Sequence, residues 1–184
     1  MELFSKFILK FLRGRNTAIL QRHSKSEIGS NLKFGDFCNF SLYPNLKKIK
    51  FGNNINIRNY NNVLVGNNAE LMLEDRVFMN NYCSINCLEK IEIGENTLFG
   101  EGVKLYDHNH EYSTAPEFKV EPQKFKTAPI KIGKNCWLGS NVTVLKGVTI
   151  GDNCIIGANC LIFKDVPANT IVKNKTELNI ENLL

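Results

Sequence analysis

The chain has 184 residues, of which 43% are hydrophobic and 22% charged, and its formal net charge is +5. This length suits one domain with its own core, and no apolar run reaches the roughly 18 residues that a membrane-spanning helix needs. The basic residues are scattered and form no recognised nucleic-acid-binding module, so either they attract an anionic small molecule or they form an ordinary solvated basic surface.

Residues 1–27 are predicted to form an amphipathic helical segment. Apolar side chains recur there at helical spacing, at Leu3, Phe4, Phe7, Ile8, Phe11 and Leu12. Lys10, Arg13, Arg15 and Arg22 add positive charge. Two interpretations stay open: residues 1–15 lie on an anionic membrane surface, or the helix packs on the protein or on a neighbouring subunit.

The same segment does not have the pattern of a secretory signal. Glu2 precedes any basic residue, and Lys6 and Lys10 interrupt the apolar stretch. The six cysteines show no zinc-site or disulfide pattern and are expected to be reduced, and three of them, Cys136, Cys154 and Cys160, recur in the repeat as small apolar fillers. We therefore expect a cytoplasmic protein.

Residues 28–173 are predicted to form a β-helix domain, because they carry a six-residue repeat that is unbroken from Ile132 to Lys173. In sixes, this stretch reads IGKNCW, LGSNVT, VLKGVT, IGDNCI, IGANCL, IFKDVP and ANTIVK. The period is typical of a parallel β-helix, in which three short strands make a triangular coil of about 18 residues. We expect two positions of each six to face inward. These are the first, from Ile132 to Ala168, and the fifth, which is always Cys or Val. Glycine at second places relieves a crowded corner or permits positive φ.

The repeat is weaker before Leu105, where it slips at several corners, and it is absent from a loop at residues 111–129. That loop cannot continue the prism, and loops that interrupt a regular scaffold often carry function. An insertion without function is the alternative. Residues 174–184 are predicted to be a separate C-terminal tail.

The string Asp107-His108-Asn109-His110 precedes the loop and contains two of the three histidines. A histidine titrates near neutral pH and can remove the proton of an attacking hydroxyl group. A polar-capped turn and half of a metal site are the alternatives. His23 lies in a charged segment and is expected to be a bystander.

The sixes, and the segment IGKNCWLGSNVTVLKGVTIGDNCIIGANCLIFKDVP in particular, resemble the hexapeptide-repeat acyltransferases. The branch most similar is that of the sugar O-acetyltransferases, such as the maltose, galactoside and capsular polysaccharide enzymes. The resemblance extends from about residue 51 to residue 172. It implies an all-β, single-stranded left-handed parallel β-helix that uses acetyl-CoA and no metal. It also implies a homotrimer whose sites lie between subunits, and a sugar or oligosaccharide acceptor.

The resemblance also implies site residues. The segment GVKLYDHNH puts His110 on the family's catalytic histidine, with His108 as the rival. Asn81, or else Asn80, falls in the region of the acceptor pocket, and Trp137 matches an aromatic residue beside the groove.

Further residues complete the expected site. Asp107 is assigned to the substrate pocket, and it is also a candidate, with Glu117 and Glu121, for the carboxylate that orients the histidine. The family pattern places the backbone N–H of Ser140 at the thioester oxygen, Ala158 beside the pantetheine arm and Lys164 near the phosphates of CoA.

Three other functions compete with sugar O-acetylation. N-acetylation of an amino sugar or acetylation of an antibiotic would use the same fold. A β-helical carbonic anhydrase needs three zinc-binding histidines, and the spacing of His108 and His110 does not fit. A non-catalytic scaffold is the last alternative.

Overall fold

The computed structural model describes residues 2–175, with side chains at positions 7, 8 and 10–175. It begins with one helix, α1 (Glu2–Arg22), which is longer than the apolar repeat of residues 3–12. The rest of the described chain winds into short β-strands. Of the predicted C-terminal tail, residues 176–184 lie outside the described part.

The strands form six coils of three, followed by one last strand. The first three coils contain β1 (Ser26–Ile28), β2 (Lys33–Phe34), β3 (Asn39–Leu42), β4 (Lys48–Phe51), β5 (Asn56–Ile57), β6 (Asn62–Val65), β7 (Glu70–Leu73), β8 (Phe78–Met79) and β9 (Ser84–Cys87). The fourth contains β10 (Lys90–Ile93), β11 (Leu98–Phe99) and β12 (Lys104–Tyr106), and a hairpin of β13 (His108–Ser113) and β14 (Lys119–Thr127) follows it. The remaining strands are β15 (Ile130–Ile132), β16 (Trp137–Leu138), β17 (Thr143–Leu145), β18 (Thr149–Ile150), β19 (Ile155–Ile156), β20 (Leu161–Ile162) and β21 (Ile171–Val172).

Equivalent strands of successive coils pair in parallel and build three sheets. Sheet A stacks the first strand of each coil, sheet B the second together with β21, and sheet C the third. The chain turns from sheet B to sheet C at what we call the B–C edge, and from sheet C back to sheet A at the C–A edge. This architecture confirms the predicted triangular parallel β-helix with an N-terminal helix and one protruding segment.

The core lies inside the prism and follows the repeat. First places from Ile132 to Ile162 and fifth places from Cys136 to Cys160 are all buried. The prediction fails at the last six, where Ala168 is exposed. Val166 takes the inward position instead, because it forms a parallel bridge with Ile150 of the coil below. Val172 then pairs with Ile156.

Glycine recurs at the second place of the sixes because that place lies at a crowded corner of the prism. A Cβ atom at Gly139 would lie 2.7 Å from the backbone N of Ala158 in the next coil, so crowding between coils requires glycine at the second place. Positive φ falls mainly on fourth-place asparagines such as Asn135 and Asn153, a residue type that tolerates the left-handed region.

The N-terminal coils are longer than the later ones. Hydrogen-bonded equivalents lie 23 residues apart between Ser30 and Asn53, but 18 apart between Lys134 and Asp152. The extra residues fall at turns such as 43–47 and 66–69, where the strands of sheet C end and those of sheet A begin. Lengthened corners therefore account for the slips in the early repeat.

The segment predicted as a loop at residues 111–129 is an ordered antiparallel hairpin that begins earlier, at His108. It leaves the prism at the C–A edge after β12 and returns at Ala128, whose N–H donates to the backbone oxygen of Asp107. Both histidines of the DHNH string therefore lie on β13 rather than in the turn before it.

The outer surfaces of the sheets differ. Sheet A carries ion pairs, among them Lys48–Glu27 at 3.0 Å and Lys50–Glu74 at 2.8 Å. Sheet B instead carries an outward stripe of apolar side chains in direct register, which are Phe78, Leu98, Trp137, Ile155 and Ile171. Among residues 2–175, no helix is both long and apolar enough to cross a membrane.

Candidate active site

A buried carboxylate organises the C–A edge where the hairpin leaves the prism. Asp107 has no exposed surface. Its two oxygens accept hydrogen bonds from the backbone N–H groups of Leu88, Glu89 and Lys90 at 2.8–3.0 Å. These charge-assisted bonds satisfy both oxygens and fix the turn between β9 and β10. Because Asp107 is fully buried, its assignment to the substrate pocket is corrected here to an anchor of the edge.

His108 is held against that carboxylate. Its Nδ1 lies 3.2 Å from Oδ1 of Asp107, and its side chain is 17% exposed. The ring of Phe125 packs against it edge-on, with centroids 5.2 Å apart. When Nδ1 carries the proton it donates to Asp107, and Nε2 is left as the basic nitrogen. A carboxylate behind and an aromatic ring beside the imidazole fix its orientation, which is what a general base requires.

His110 has a different environment. It is exposed on β13, opposite Phe125 of β14, and their ring centroids are 4.7 Å apart. Of the side-chain hydrogen bonds found among residues 7–175, none involves His110. Glu121 pairs with Lys119 at 3.0 Å and so does not orient either histidine. The carboxylate therefore lies beside His108 and not beside His110, the residue that the sequence favoured.

Ser140 and Ala158 lie one above the other on the B–C edge. The backbone oxygen of Ser140 accepts from the N–H of Asn159 at 2.8 Å, and Gly100 lies on the other side of it. At some other corners of the prism, the N–H at this position donates to an Asn or Asp side chain of the next coil. The N–H of Asn53 donates to Asp75 at 2.8 Å, and that of Lys134 to Asp152 at 3.0 Å.

Ser140 lacks such a partner because the next coil supplies Ala158, which has no polar side chain. Among the hydrogen bonds of residues 7–175, the Ser140 N–H donates to no acceptor. An N–H at the surface without a protein acceptor is available to a ligand oxygen, and in acyl transfer it can stabilise an oxyanion.

Asn80 and Asn81 also lie on the B–C edge, two coils before Ser140. Oδ1 of Asn81 accepts from the N–H of Asn59 at 3.2 Å, and Oδ1 of Asn80 accepts from the N–H of Asn81 at 2.9 Å. Neither adopts the left-handed conformation, which falls on Tyr82. Both are half-buried. Their amides cap the corner, and their outer surfaces remain open.

Lys164 lies apart from the Ser140 corner, whereas Trp137 lies on β16, the sheet B strand that leads into that corner. Lys164 follows β20 at the C–A edge, two coils above His108, with its Nζ 5.8 Å from the ring centroid of Phe163. Trp137 is exposed in the middle of the apolar stripe on sheet B. Apart from Trp137 on sheet B, the predicted residues of one chain therefore divide between two edges, with sheet C between them.

The cysteines are poor candidates for chemistry. All six are free and buried. Burial raises the pKa of Cys83 to about 11 and also raises the pKa values of Cys87 and Cys136. A protonated, buried thiol is a weak nucleophile. Within residues 2–175 no group of three or more His, Cys, Asp or Glu side chains is placed to hold a metal ion.

The sequence indicated Asp107 as one candidate for the carboxylate that orients the histidine, but not the three backbone N–H groups that anchor it. The available signal was an acidic residue directly after a sheet C strand and directly before a histidine, at the point where the repeat stops. Its three amide donors lie 17–19 residues earlier in the chain, so only the stacking of the coils reveals them.

Comparison with known proteins agrees with the repeat. Residues 129–164 match the family model described as bacterial transferase hexapeptide (six repeats). WbbJ of Escherichia coli K12, assigned provisionally as a lipopolysaccharide biosynthesis O-acetyltransferase, is 28% identical over 108 residues, 55% of either chain. WcaF of the same organism, assigned provisionally as a colanic acid biosynthesis acetyltransferase, is 31% identical over 67% of this chain and 64% of its own.

Two further matches extend this picture. Nodulation protein L of Rhizobium meliloti is 43% identical over 90 residues, which cover 49% of this chain and 48% of that protein. The matches thus span about half to two thirds of these relatives. Among solved structures, an S84C mutant of AntD, an N-acyltransferase from Bacillus cereus in complex with dTDP-4-amino-4,6-dideoxyglucose and coenzyme A, has a TM-score of 0.69. That match covers 85% of this chain and 82% of AntD at 15% identity, so the likeness is one of fold. The chain therefore carries the bacterial transferase hexapeptide repeat at residues 129–164, and its relatives WbbJ and WcaF have provisional assignments as acetyltransferases.

Proposed function

We propose that the protein transfers an acetyl group from acetyl-CoA to a hydroxyl group of a saccharide, with His108 as the general base. The observation that carries the proposal is the contact of His108 with the buried carboxylate of Asp107. It is supported by the free N–H of Ser140 and by relatives assigned to polysaccharide acetylation. His110, the first choice from the sequence, is replaced because it lacks this contact.

Direct transfer of the acetyl group requires neither a metal ion nor an acyl-enzyme intermediate. Nε2 of His108 takes the proton of the acceptor hydroxyl as its oxygen attacks the thioester carbonyl. The carbonyl oxygen becomes an oxyanion that accepts a hydrogen bond from the N–H of Ser140. Collapse of this intermediate breaks the C–S bond, and the imidazolium returns its proton to the sulfur of CoA. Asp107 stabilises the imidazolium by its charge.

We further propose that each site is shared by two copies of the chain. His108 and Lys164 lie on the C–A edge and Ser140, Ala158 and Asn81 on the B–C edge, so one molecule presents the two halves to different sides. A closed homotrimer brings the C–A edge of one copy to the B–C edge of the next. The apolar stripe on sheet B, centred on Trp137, is a surface that such an assembly would cover.

In this arrangement the cofactor lies along the crevice between copies. Ala158 leaves room for the pantetheine arm beside Ser140, and Lys164 offers a cation to the CoA phosphates. The acceptor approaches from the side of the earlier coils, where the outer faces of Asn80 and Asn81 offer hydrogen-bond partners. Because acetyl-CoA is a cytoplasmic metabolite, we propose the cytoplasm as the place of the reaction.

Acceptor chemistry is tested by product analysis. Purified protein, acetyl-CoA and a panel of neutral sugars, amino sugars and nucleotide sugars are combined, and CoA thiol release is followed. The proposal expects turnover with hydroxyl acceptors and a product whose acetyl group is removed by mild alkali, as an ester is. An alkali-stable amide, formed only with amino sugars, would favour N-acetylation instead. Absence of thiol release with every acceptor class would contradict the proposal.

A further inference from the structure

Helix α1 lies across the N-terminal end of the prism. It contacts β1, β2 and β3, which are the first strands of all three sheets. Leu20 on its inner side is fully buried, and Nδ2 of Asn16 donates to the backbone oxygen of Cys38 at 2.9 Å. Arg13 adds a two-point ion pair to Asp36, at 2.8 and 3.0 Å. These contacts hold the helix in a fixed orientation, so its outer side is a defined surface.

That outer side is apolar and basic. Phe7 is 69% exposed and Phe11 65% exposed, and they lie one turn apart. A groove beside them is lined by Phe11, Ala18, Arg15 and Arg22. Two large aromatic side chains in water would be costly for an isolated protein, and their position on a rigid cap indicates a surface that binds something.

Charge identifies the class of partner. Among α1 side chains at positions 7, 8 and 10–22, the charged ones are Lys10, Arg13, Arg15 and Arg22, all of which are cations. Arg13 pairs with Asp36, whereas Lys10, Arg15 and Arg22 are exposed on the same helix as the two phenylalanines. Aromatic side chains flanked by basic ones match the interface of an anionic bilayer, where rings enter the acyl boundary and cations meet phosphate groups.

We propose that the outer side of α1, formed by Phe7, Phe11, Lys10, Arg15 and Arg22, docks the protein on an anionic membrane surface. The helix then lies in the interface, with the prism standing on it. His108 belongs to the fourth coil, so it stands roughly 25 Å above the plane of the headgroups. The inference goes beyond acetyl transfer and does not depend on it.

The rival occupant is a second copy of the chain. A basic helix face disfavours contact with the same face of a copy, because like charges would meet. Sheet B offers an apolar stripe without a cluster of charge, at Leu98, Trp137 and Ile155, and is the better surface for a copy. Anionic lipid is therefore the occupant that the charges favour.

Vesicle flotation of the full chain tests the proposal. Vesicles of phosphatidylcholine with about one third phosphatidylglycerol are compared with phosphatidylcholine alone, at low and high salt. We expect binding to the anionic vesicles that weakens as salt rises. Phe7→Ser combined with Phe11→Ser should lower the partition coefficient at least about tenfold, and Lys10→Gln combined with Arg15→Gln should do so by about tenfold at low salt.

Matched controls are available on the hairpin. Phe118 is 71% exposed and Lys124 and Lys126 are exposed, so Phe118→Ser and Lys124→Gln combined with Lys126→Gln should leave partitioning within about twofold. Wild-type protein that ignores anionic vesicles, or helix variants that bind like the wild type, would overturn the proposal. So would a change in sedimentation of the Phe7→Ser, Phe11→Ser variant without lipid, because it would show that a second copy covers this face.

Discussion

Nδ1 of His108 lies 3.2 Å from Oδ1 of Asp107, a carboxylate without exposed surface that also accepts from three backbone N–H groups. One side chain thus fixes a turn of the prism and orients an imidazole at its edge. The position of the histidine is determined by the stacking of the third and fourth coils, and not by the hairpin alone.

The first prediction separates the two histidines. His108→Ala should lower kcat by about 10²–10⁴, because a general base contributes about that factor. His110→Ala should change kcat by less than about tenfold, because His110 has no carboxylate behind it. CoA thiol release at saturating acetyl-CoA is the measurement. A larger loss in His110→Ala than in His108→Ala would return the base to His110.

The second prediction concerns the buried carboxylate. Asp107→Asn leaves three amide donors facing a neutral side chain with one acceptor oxygen, which should destabilise the protein by about 2–4 kcal/mol. For a protein of this size the melting temperature should fall by roughly 5 °C or more. The surface substitution Asp152→Asn is the control, because the asparagine keeps the Oδ1 atom that accepts from the backbone N–H of Lys134. Equal melting temperatures for the two variants would refute the anchoring role of Asp107.

The N–H of Ser140 is the subject of the third prediction. Ala158→Asn should place a side-chain oxygen on this N–H, as Asp75 and Asp152 do at equivalent corners, and so close it to a ligand. Losing one oxyanion donor costs about 10²–10³ in kcat. Ala168→Asn is the matched control, because Ala168 has the same place above Gly151 on another edge. If both variants keep wild-type kcat, Ser140 does not stabilise the oxyanion.

The fourth prediction concerns the thiols. Because burial raises the pKa of Cys83 from an ordinary 9.0 to about 11, the folded state keeps this thiol protonated after the unfolded chain has ionised. That contribution to stability is complete below pH 9 and is lost as pH rises towards 11. The melting temperature should therefore decline across this window, and less steeply in Cys83→Ala. A decline of equal slope in the two proteins would exclude this cause.

Much of the fold could be predicted from the sequence because the six-residue repeat records the inward positions directly. Ile132, Leu138 and Val144 recur as the prism requires, and all are buried. The repeat fails at Ala168 because the last coil is shortened by a bridge between Ile150 and Val166. A period alone cannot reveal where a coil changes length.

The candidate site was harder to predict for two physical reasons. Choosing between His108 and His110 requires knowing which imidazole meets the carboxylate, and β13 begins at His108, before the loop that the sequence marked. The N–H of Ser140 is open to a ligand because Ala158, which lies above it in the next coil, has no polar side chain that could accept from it. Both facts depend on which residues lie above one another in neighbouring coils.

The central claim is that each site joins the C–A edge of one copy to the B–C edge of another. His108→Ala and Ala158→Asn each damage one edge, so neither protein alone should be active. When the two are co-expressed with different tags and mixed trimers are purified, about one third of the sites should combine two intact edges, because each mixed trimer has one such junction among its three.

We therefore predict recovery of about a third of the wild-type kcat per site in purified mixed trimers of His108→Ala and Ala158→Asn copies. A mixture of His108→Ala with His108→Gln is the control and should show no recovery, because every C–A edge remains damaged. Activity of the first mixture that stays at the level of its parents would mean that one chain holds the whole site, and would contradict the account.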